Sequence, residues 1–141
     1  MAKVAVVFWS GTGNTEKMAE AIAAGAKDAG AEVDVMGPAD FNADKAQAYD
    51  AIAFGCPAMG AEQLEEEEFE PMFNDVKGKI GGKKVAIFGS YGWGEGDWMK
   101  LWEDDCKAAG IDLIDDGLMA HETPDADALE ECNSLGQALG A

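Results

Sequence analysis

Short apolar runs and helix-spaced patterns take turns along the chain, and this alternation restricts the fold more than any other feature. Val4 to Trp9, Ala51 to Phe54 and Val85 to Phe88 are continuous apolar runs, as expected of strands covered on both faces. Glu32-Val33-Asp34-Val35 alternates polar and apolar residues, the pattern of a half-exposed edge strand. Ile111 to Ile114, continuing through Gly117 to Ala120, reads as a weaker fifth strand that also suits an edge. Met18, Ile22, Gly25 and Ala29 recur at spacings of four, three and four, with Gly30 as the stop. A short helix is expected around Asp44 to Ala48, and a third over Leu64 to Val76 with an interruption at Pro71. Trp98, Leu101 and Trp102 begin a fourth that ends near Gly110, and Cys132, Leu135 and Leu139 mark the last.

Strands separated by helices of this length need crossover connections, and right-handed crossovers build a parallel sheet with helices on both sides. The expected fold is therefore α/β: a three-layer, doubly wound, five-stranded parallel sheet in the strand order 2-1-3-4-5, with residues 1–141 forming one domain. Ligands of such sheets bind beyond the carboxyl ends of the strands, at the switch point between the first and third. Three loops then matter: those after Trp9, after Gly55 and after Gly89.

Composition narrows the chemistry. Ten Lys and Arg against 28 Asp and Glu leave a net charge of −18. Such a field repels nucleic acid and anionic membrane and favours basic surfaces, although solubility alone also accounts for acidic chains. Cys56, Cys106 and Cys132 form no CxxC pair, and three thiolates are too few for a common iron–sulfur cluster or an all-cysteine zinc site. All three are expected to be buried packing residues, with Cys132 on a helix face. No apolar run near the start is long enough for a signal or membrane segment, so a cytoplasmic location is expected, without metal. Any redox chemistry must come from an organic cofactor.

Ser10-Gly11-Thr12-Gly13-Asn14-Thr15 follows the first strand and opens the first helix. Such a loop aims backbone N–H groups and a helix dipole at an anion. It lacks the lysine of a nucleotide-hydrolysing P-loop, and Glu16 stands where the dinucleotide fingerprint needs glycine. What remains suits one phosphate monoester held by neutral donors, or simply a small-residue turn capping a helix. Trp9 to Glu16 resembles the phosphate signature [ST]-x-T-G-x-T of the flavodoxin family, which favours the phosphate reading.

The other two loops continue that resemblance. Gly55-Cys56-Pro57-Ala58-Met59-Gly60-Ala61-Glu62 follows the third strand, and Gly89-Ser90-Tyr91-Gly92-Trp93-Gly94-Glu95-Gly96-Asp97 follows the fourth. A flat aromatic cofactor needs apolar cover on both faces and polar contacts at its edges. Met59 and Trp93, on glycine-rich loops at the binding end, suit the two faces. Both loops are similar to those of short-chain flavodoxins in order and spacing, and no long insertion crosses the fifth strand. The resemblance implies non-covalently bound FMN, with Met59 on the inner face of the ring and Trp93 on the outer. It also implies that Glu62 meets the ring N3–H, and that main-chain groups near Ser90, Tyr91 and Gly92 meet the pyrimidine edge. Pro57, Ala58, Gly96 and Asp97 complete the expected cofactor contacts; no catalytic residue is expected.

The family works by one-electron transfer, so the resemblance implies a low-potential carrier cycling between the semiquinone and hydroquinone of FMN. In that cycle the ring N5 takes up a proton, and the Gly60 carbonyl would turn to accept a hydrogen bond from N5–H, since glycine tolerates the positive φ required. Ala61 departs from the common pattern and is expected to disfavour a type II turn in the oxidised state. The acidic run Glu62, Glu65, Glu66, Glu67, Glu68 and Glu70 reads either as a solvated helix face or as a docking surface for basic-surfaced redox proteins. Reductases, pyruvate-oxidising enzymes and hydrogenases are the partners the family implies, with the carrier itself a monomer. The competing reading is a flavodoxin-like FMN-dependent NAD(P)H or quinone reductase, although nothing here resembles a nicotinamide site. A phospho-receiver module would need acids after the first strand, where Trp9-Ser10 stands. A low-molecular-weight phosphatase would need an arginine, and the chain has none. The single histidine, His121, receives no role.

Overall fold

The structure is a computed structural model that describes residues 2–9, 13–57, 67–91, 97–111, 113–115, 117–121 and 123–140, with the backbone alone at 97. Its elements alternate as the patterning predicts: β1 (Lys3–Phe8), α1 (Asn14–Asp28), β2 (Glu32–Met36), α2 (Ala43–Ala46), β3 (Ala51–Gly55), α3 (Phe69–Val76), β4 (Lys84–Tyr91), α4 (Asp97–Ala108), β5 (Leu118–His121) and α5 (Ala126–Gly140). A 3₁₀ turn over Pro38–Asp40 lies between β2 and α2. The five strands form one sheet in the order β2-β1-β3-β4-β5, every neighbouring pair parallel. All strands therefore end on one side, where Phe8, Gly55 and Phe88 stand in register.

Period-two alternation sends each strand's side chains to two separate cores. On one face Val4, Val6, Ala53, Ala86 and Phe88 pack with Met18, Ile22, Ala26, Cys132, Leu135 and Leu139 of α1 and α5. On the other, Ala5, Val7, Ile52, Phe54, Val85 and Ile87 meet Phe69, Phe73, Trp98 and Trp102 of α3 and α4. Burying a side chain such as Phe54 or Ile22 contributes roughly 1.5–3 kcal/mol, and both are fully buried. The central strand β3 is buried along its whole length, whereas no residue of β2 is fully buried and Val35 is exposed, as suits an edge strand.

Three expectations need correction. The stretch Ile111 to Ile114 is not part of the fifth strand. Gly110, at φ +79°, ends the α4 turn, and Ile111 N–H donates back to the Cys106 carbonyl at 2.9 Å. Among the described residues of this stretch, an isolated parallel bridge between Leu113 and Val85 touches the sheet before β5 begins at Leu118. The detour is held by α4: Gly117 N–H donates to Glu103 Oε2 at 2.7 Å, and a Cβ at Gly117 would collide with Met99. Second, Pro71 does not interrupt α3. It is the third residue of that helix, in the first turn, where a missing N–H leaves no intrahelical bond unmade. The helix starts at Phe69 after a turn at Glu67 and Glu68; the expected start at Leu64 lies outside the described residues. Third, β4 runs past Gly89 to Tyr91, so Ser90 and Tyr91 are strand residues rather than loop residues.

Candidate functional site

The site is built where β1 hands over to α1. The first strand stays paired one residue beyond its end, with Trp9 N–H donating to the Gly55 carbonyl at 3.0 Å. Gly13 is the N-cap of α1 at φ +92°. A Cβ there would meet nothing within 4 Å, so the backbone conformation demands glycine, not crowding.

The N-cap residue sets α1 apart from α2 and α5. Asn42 Oδ1 accepts the Lys45 N–H at 2.8 Å to cap α2, and Asp125 Oδ1 accepts the Ala128 N–H at 2.8 Å to cap α5. Gly13 has no side chain with which to cap α1. Helix α3 also starts without a side-chain cap, but with Glu68 at its N-cap and Glu70 in its first turn it repels anions. The start of α1 carries Asn14 and Thr15, with Glu16 exposed, and directs first-turn N–H groups beyond β1.

Behind that turn lies a buried polar pair. Thr15 and Ser90 are 1% and 4% exposed, and their hydroxyl oxygens are 3.0 Å apart. The pleat explains the meeting: Ala86 and Phe88 face α1 and α5, and Ser90 continues that series two residues on. Tyr91 belongs to the opposite series and packs its ring against Trp98 at 5.5 Å and His121 at 5.0 Å. Trp98 Nε1 donates to the Cys56 carbonyl at 3.3 Å. A Cβ at Gly89 would collide with that same carbonyl, so the ends of β3 and β4 are locked together.

Of the expected cofactor residues, Gly13, Asn14, Thr15, Pro57, Ser90 and Tyr91 are thus at the carboxyl end of the sheet, and Asp97 begins α4 there. Ser10, Gly11, Thr12, Ala58, Met59, Gly60, Ala61, Glu62, Gly92, Trp93 and Gly96 lie outside the described residues. The sequence reading missed the Thr15–Ser90 contact and the anchor from Trp98 to Cys56. A buried indole seeks an acceptor for its N–H, but nothing in the spacing of Trp98 names the Cys56 carbonyl.

The rest of the chemistry is quiet. Burial pushes the Cys106 and Cys132 thiols up to about 12, the neighbouring carboxylates adding to the shift, so neither offers a thiolate near neutral pH. All three cysteines are buried, as expected. Among the described residues no cluster of His, Cys, Asp and Glu suits a metal, and no helix is long and apolar enough to cross a membrane. The larger of two grooves bordered by described residues, about 570 Å³, lies between Leu118 and the α5 face of Glu131 and Leu135. It is remote from the start of α1; topology and the uncapped helix, not groove size, mark the binding end.

A doubly wound parallel sheet in the order β2-β1-β3-β4-β5, with a glycine N-cap opening α1 at its switch point, defines a protein of the flavodoxin-like fold class. A model of the family "Flavodoxin" matches residues 6–136. The flavodoxin of Clostridium beijerinckii is 45% identical over 134 residues, covering 95% of this chain and 96% of its own. That of Megasphaera elsdenii is 47% identical over 135 residues, covering 96% of each. The solution structure of the two-electron reduced Megasphaera elsdenii flavodoxin superposes with a TM-score of 0.86 at 46% identity, over 97% of this chain and 98% of that one. The chain belongs to the flavodoxin family, whose members are FMN-binding electron carriers rather than substrate-turnover enzymes.

Proposed function

We propose that residues 1–141 act as a single FMN-loaded unit that carries electrons singly at low potential between redox proteins. The observation that carries this reading is the start of α1: a glycine N-cap at φ +92°, no side-chain cap, and a neutral buried hydroxyl pair behind it. A phosphate monoester fits that donor set, because a helix start whose N-cap residue carries no side chain offers its first N–H groups and the positive end of the dipole to an anion. In this reading Ser10 to Thr15 hold the phosphate. Pro57 to Glu62 and Ser90 to Trp93, with Gly96 and Asp97, hold and cover the ring.

When bound, the flavin supplies reversible uptake of electrons one at a time; the likeness to a two-electron reduced relative supports a capacity for two. The protein's own contribution is to orient and to exclude water. The lock between Trp98, Cys56 and Gly89 fixes where the two flavin loops leave the sheet. The net charge of −18 opposes the addition of further negative charge, which supports a low potential. The same charge supports basic-surfaced redox partners, and exposed Glu67 and Glu68 extend it in the sequence that follows the loop after β3. A monomer working in the cytoplasm completes the reading.

The test is to load the protein with FMN and titrate it anaerobically while recording its visible spectrum. Two resolved one-electron steps are expected, together with electron-transfer rates to a basic partner that fall as salt rises. A single two-electron step, with steady NAD(P)H oxidation, would replace the carrier by the reductase reading.

A further inference from the structure

Thr15 and Ser90 present a question of proton direction. Each hydroxyl has one O–H to donate and lone pairs to accept with, and at 3.0 Å one of the two donates to the other. If Thr15 donates to Ser90, it turns only a lone pair toward the start of α1 and opposes an anion there. If Ser90 donates to Thr15, the Thr15 O–H is released to donate outward. The pair is 1% and 4% exposed, so bulk water does not readily supply a substitute partner.

We propose that Ser90 is a positioning residue for the phosphate end of the site: it donates to Thr15 Oγ1 and thereby points the Thr15 proton at the phosphate. This rests on the phosphate reading above and adds a part for the Ser90 side chain, whose hydroxyl serves the phosphate turn while the main chain nearby is left to the ring edge. The alternation of β4 carries the point, since Ala86 and Phe88 face α1 and Ser90 follows in the same series. Two hydrogen bonds in line polarise one another, and the second ends on a charge, so the relay strengthens when the anion arrives. It also ties the end of β4, where a flavin loop begins, to occupation of the phosphate turn.

The test compares FMN with riboflavin, which lacks the phosphate, on the apoprotein. Ser90→Ala is expected to weaken FMN about tenfold and to leave riboflavin within about twofold. Thr15→Val is expected to weaken FMN at least as much, and the double variant to be no worse than Thr15→Val alone, since the relay is already broken. Ser90→Cys keeps the shape with a weaker donor and should fall between wild type and Ser90→Ala; it stands in if Ser90→Ala does not fold. Equal losses for FMN and riboflavin would make the pair a packing feature only and overturn the relay. So would additive losses in the double variant, or a Ser90→Ala protein with wild-type preference for FMN. If Thr15→Val and Gly13→Ala both leave the FMN-to-riboflavin ratio unchanged, the phosphate reading fails; if they lower it and Ser90→Ala does not, only the relay fails.

Discussion

The two faces of the sheet are filled by opposite means. Toward α1 and α5 the filling is small: Gly25, Gly136 and Gly140 let the two helices touch backbone to backbone. A Cβ at Gly25 would collide with the Asn133 carbonyl, and one at Gly136 with the Ile22 carbonyl. Toward α3 and α4 the filling is aromatic. Phe73 meets Phe54 edge-on at 5.2 Å and Trp102 at 5.7 Å, while Phe69 meets Trp102 at 5.4 Å. Rings can tilt to take up a change in shape, whereas two backbones in contact cannot. The small-residue face carries α1, whose N-cap is Gly13, and the aromatic face carries Trp98, which ties α4 to the Cys56 carbonyl at the end of β3.

That contrast can be broken by substitution. Phe73→Ala, at a fully buried ring, should cost about 4 kcal/mol in urea unfolding, and Phe73→Leu much less, about 1 kcal/mol, if the aromatic face adapts. Gly136→Ala adds only a methyl group, yet should cost about 2–3 kcal/mol by forcing α5 away from α1; a neutral result would show that the small-residue face yields after all. Alkaline titration sharpens the comparison. Burial and the Asp34 carboxylate, to which its hydroxyl donates at 2.7 Å, push Tyr49 up to about 12, as burial does for Cys106 and Cys132. These folded-state values lie above the unfolded ones, so the unfolded chain releases protons first. Stability should hold below about pH 9 and fall steadily toward pH 12. Tyr49→Phe and Cys106→Ala, both on the aromatic side, should together flatten that fall more than Cys132→Ala on the other. The smallest effect is expected at Trp102. Its buried Nε1 has no hydrogen-bond partner among the described residues, so Trp102→Phe should change stability by less than about 1 kcal/mol. A loss of several would mean that this N–H is satisfied in solution.

Much of this architecture is legible in the chain because a strand's burial shows in its apolar pattern, continuous for the central strands and mixed with polar residues for the edge. Val4 to Trp9 and Ala51 to Phe54 could sit only in the middle of a sheet, and Glu32 to Val35 only at an edge, so the strand order follows from crossover geometry. The fifth strand was harder. Ile111 and Leu113 are apolar because they pack beside α4, and local pattern does not distinguish such packing from pairing with β4. The glycine turn into α1 was legible because Gly13 stands in a contiguous motif that follows the first strand directly. The Thr15–Ser90 contact was not, since it joins residues 75 positions apart through a pleat phase that depends on where β4 ends. The Trp98 anchor escaped for the same reason: its acceptor is a backbone carbonyl, which carries no residue identity.

Gly13 has one more consequence, which concerns mirror symmetry. Its φ of +92° is ordinary for an amino acid of the D series, strained for L residues and free to achiral glycine. The position therefore selects handedness. A chain assembled by peptide ligation with D-alanine at 13 should keep its stability and its hold on the cofactor, while L-alanine at the same place should lose about 1 kcal/mol or more.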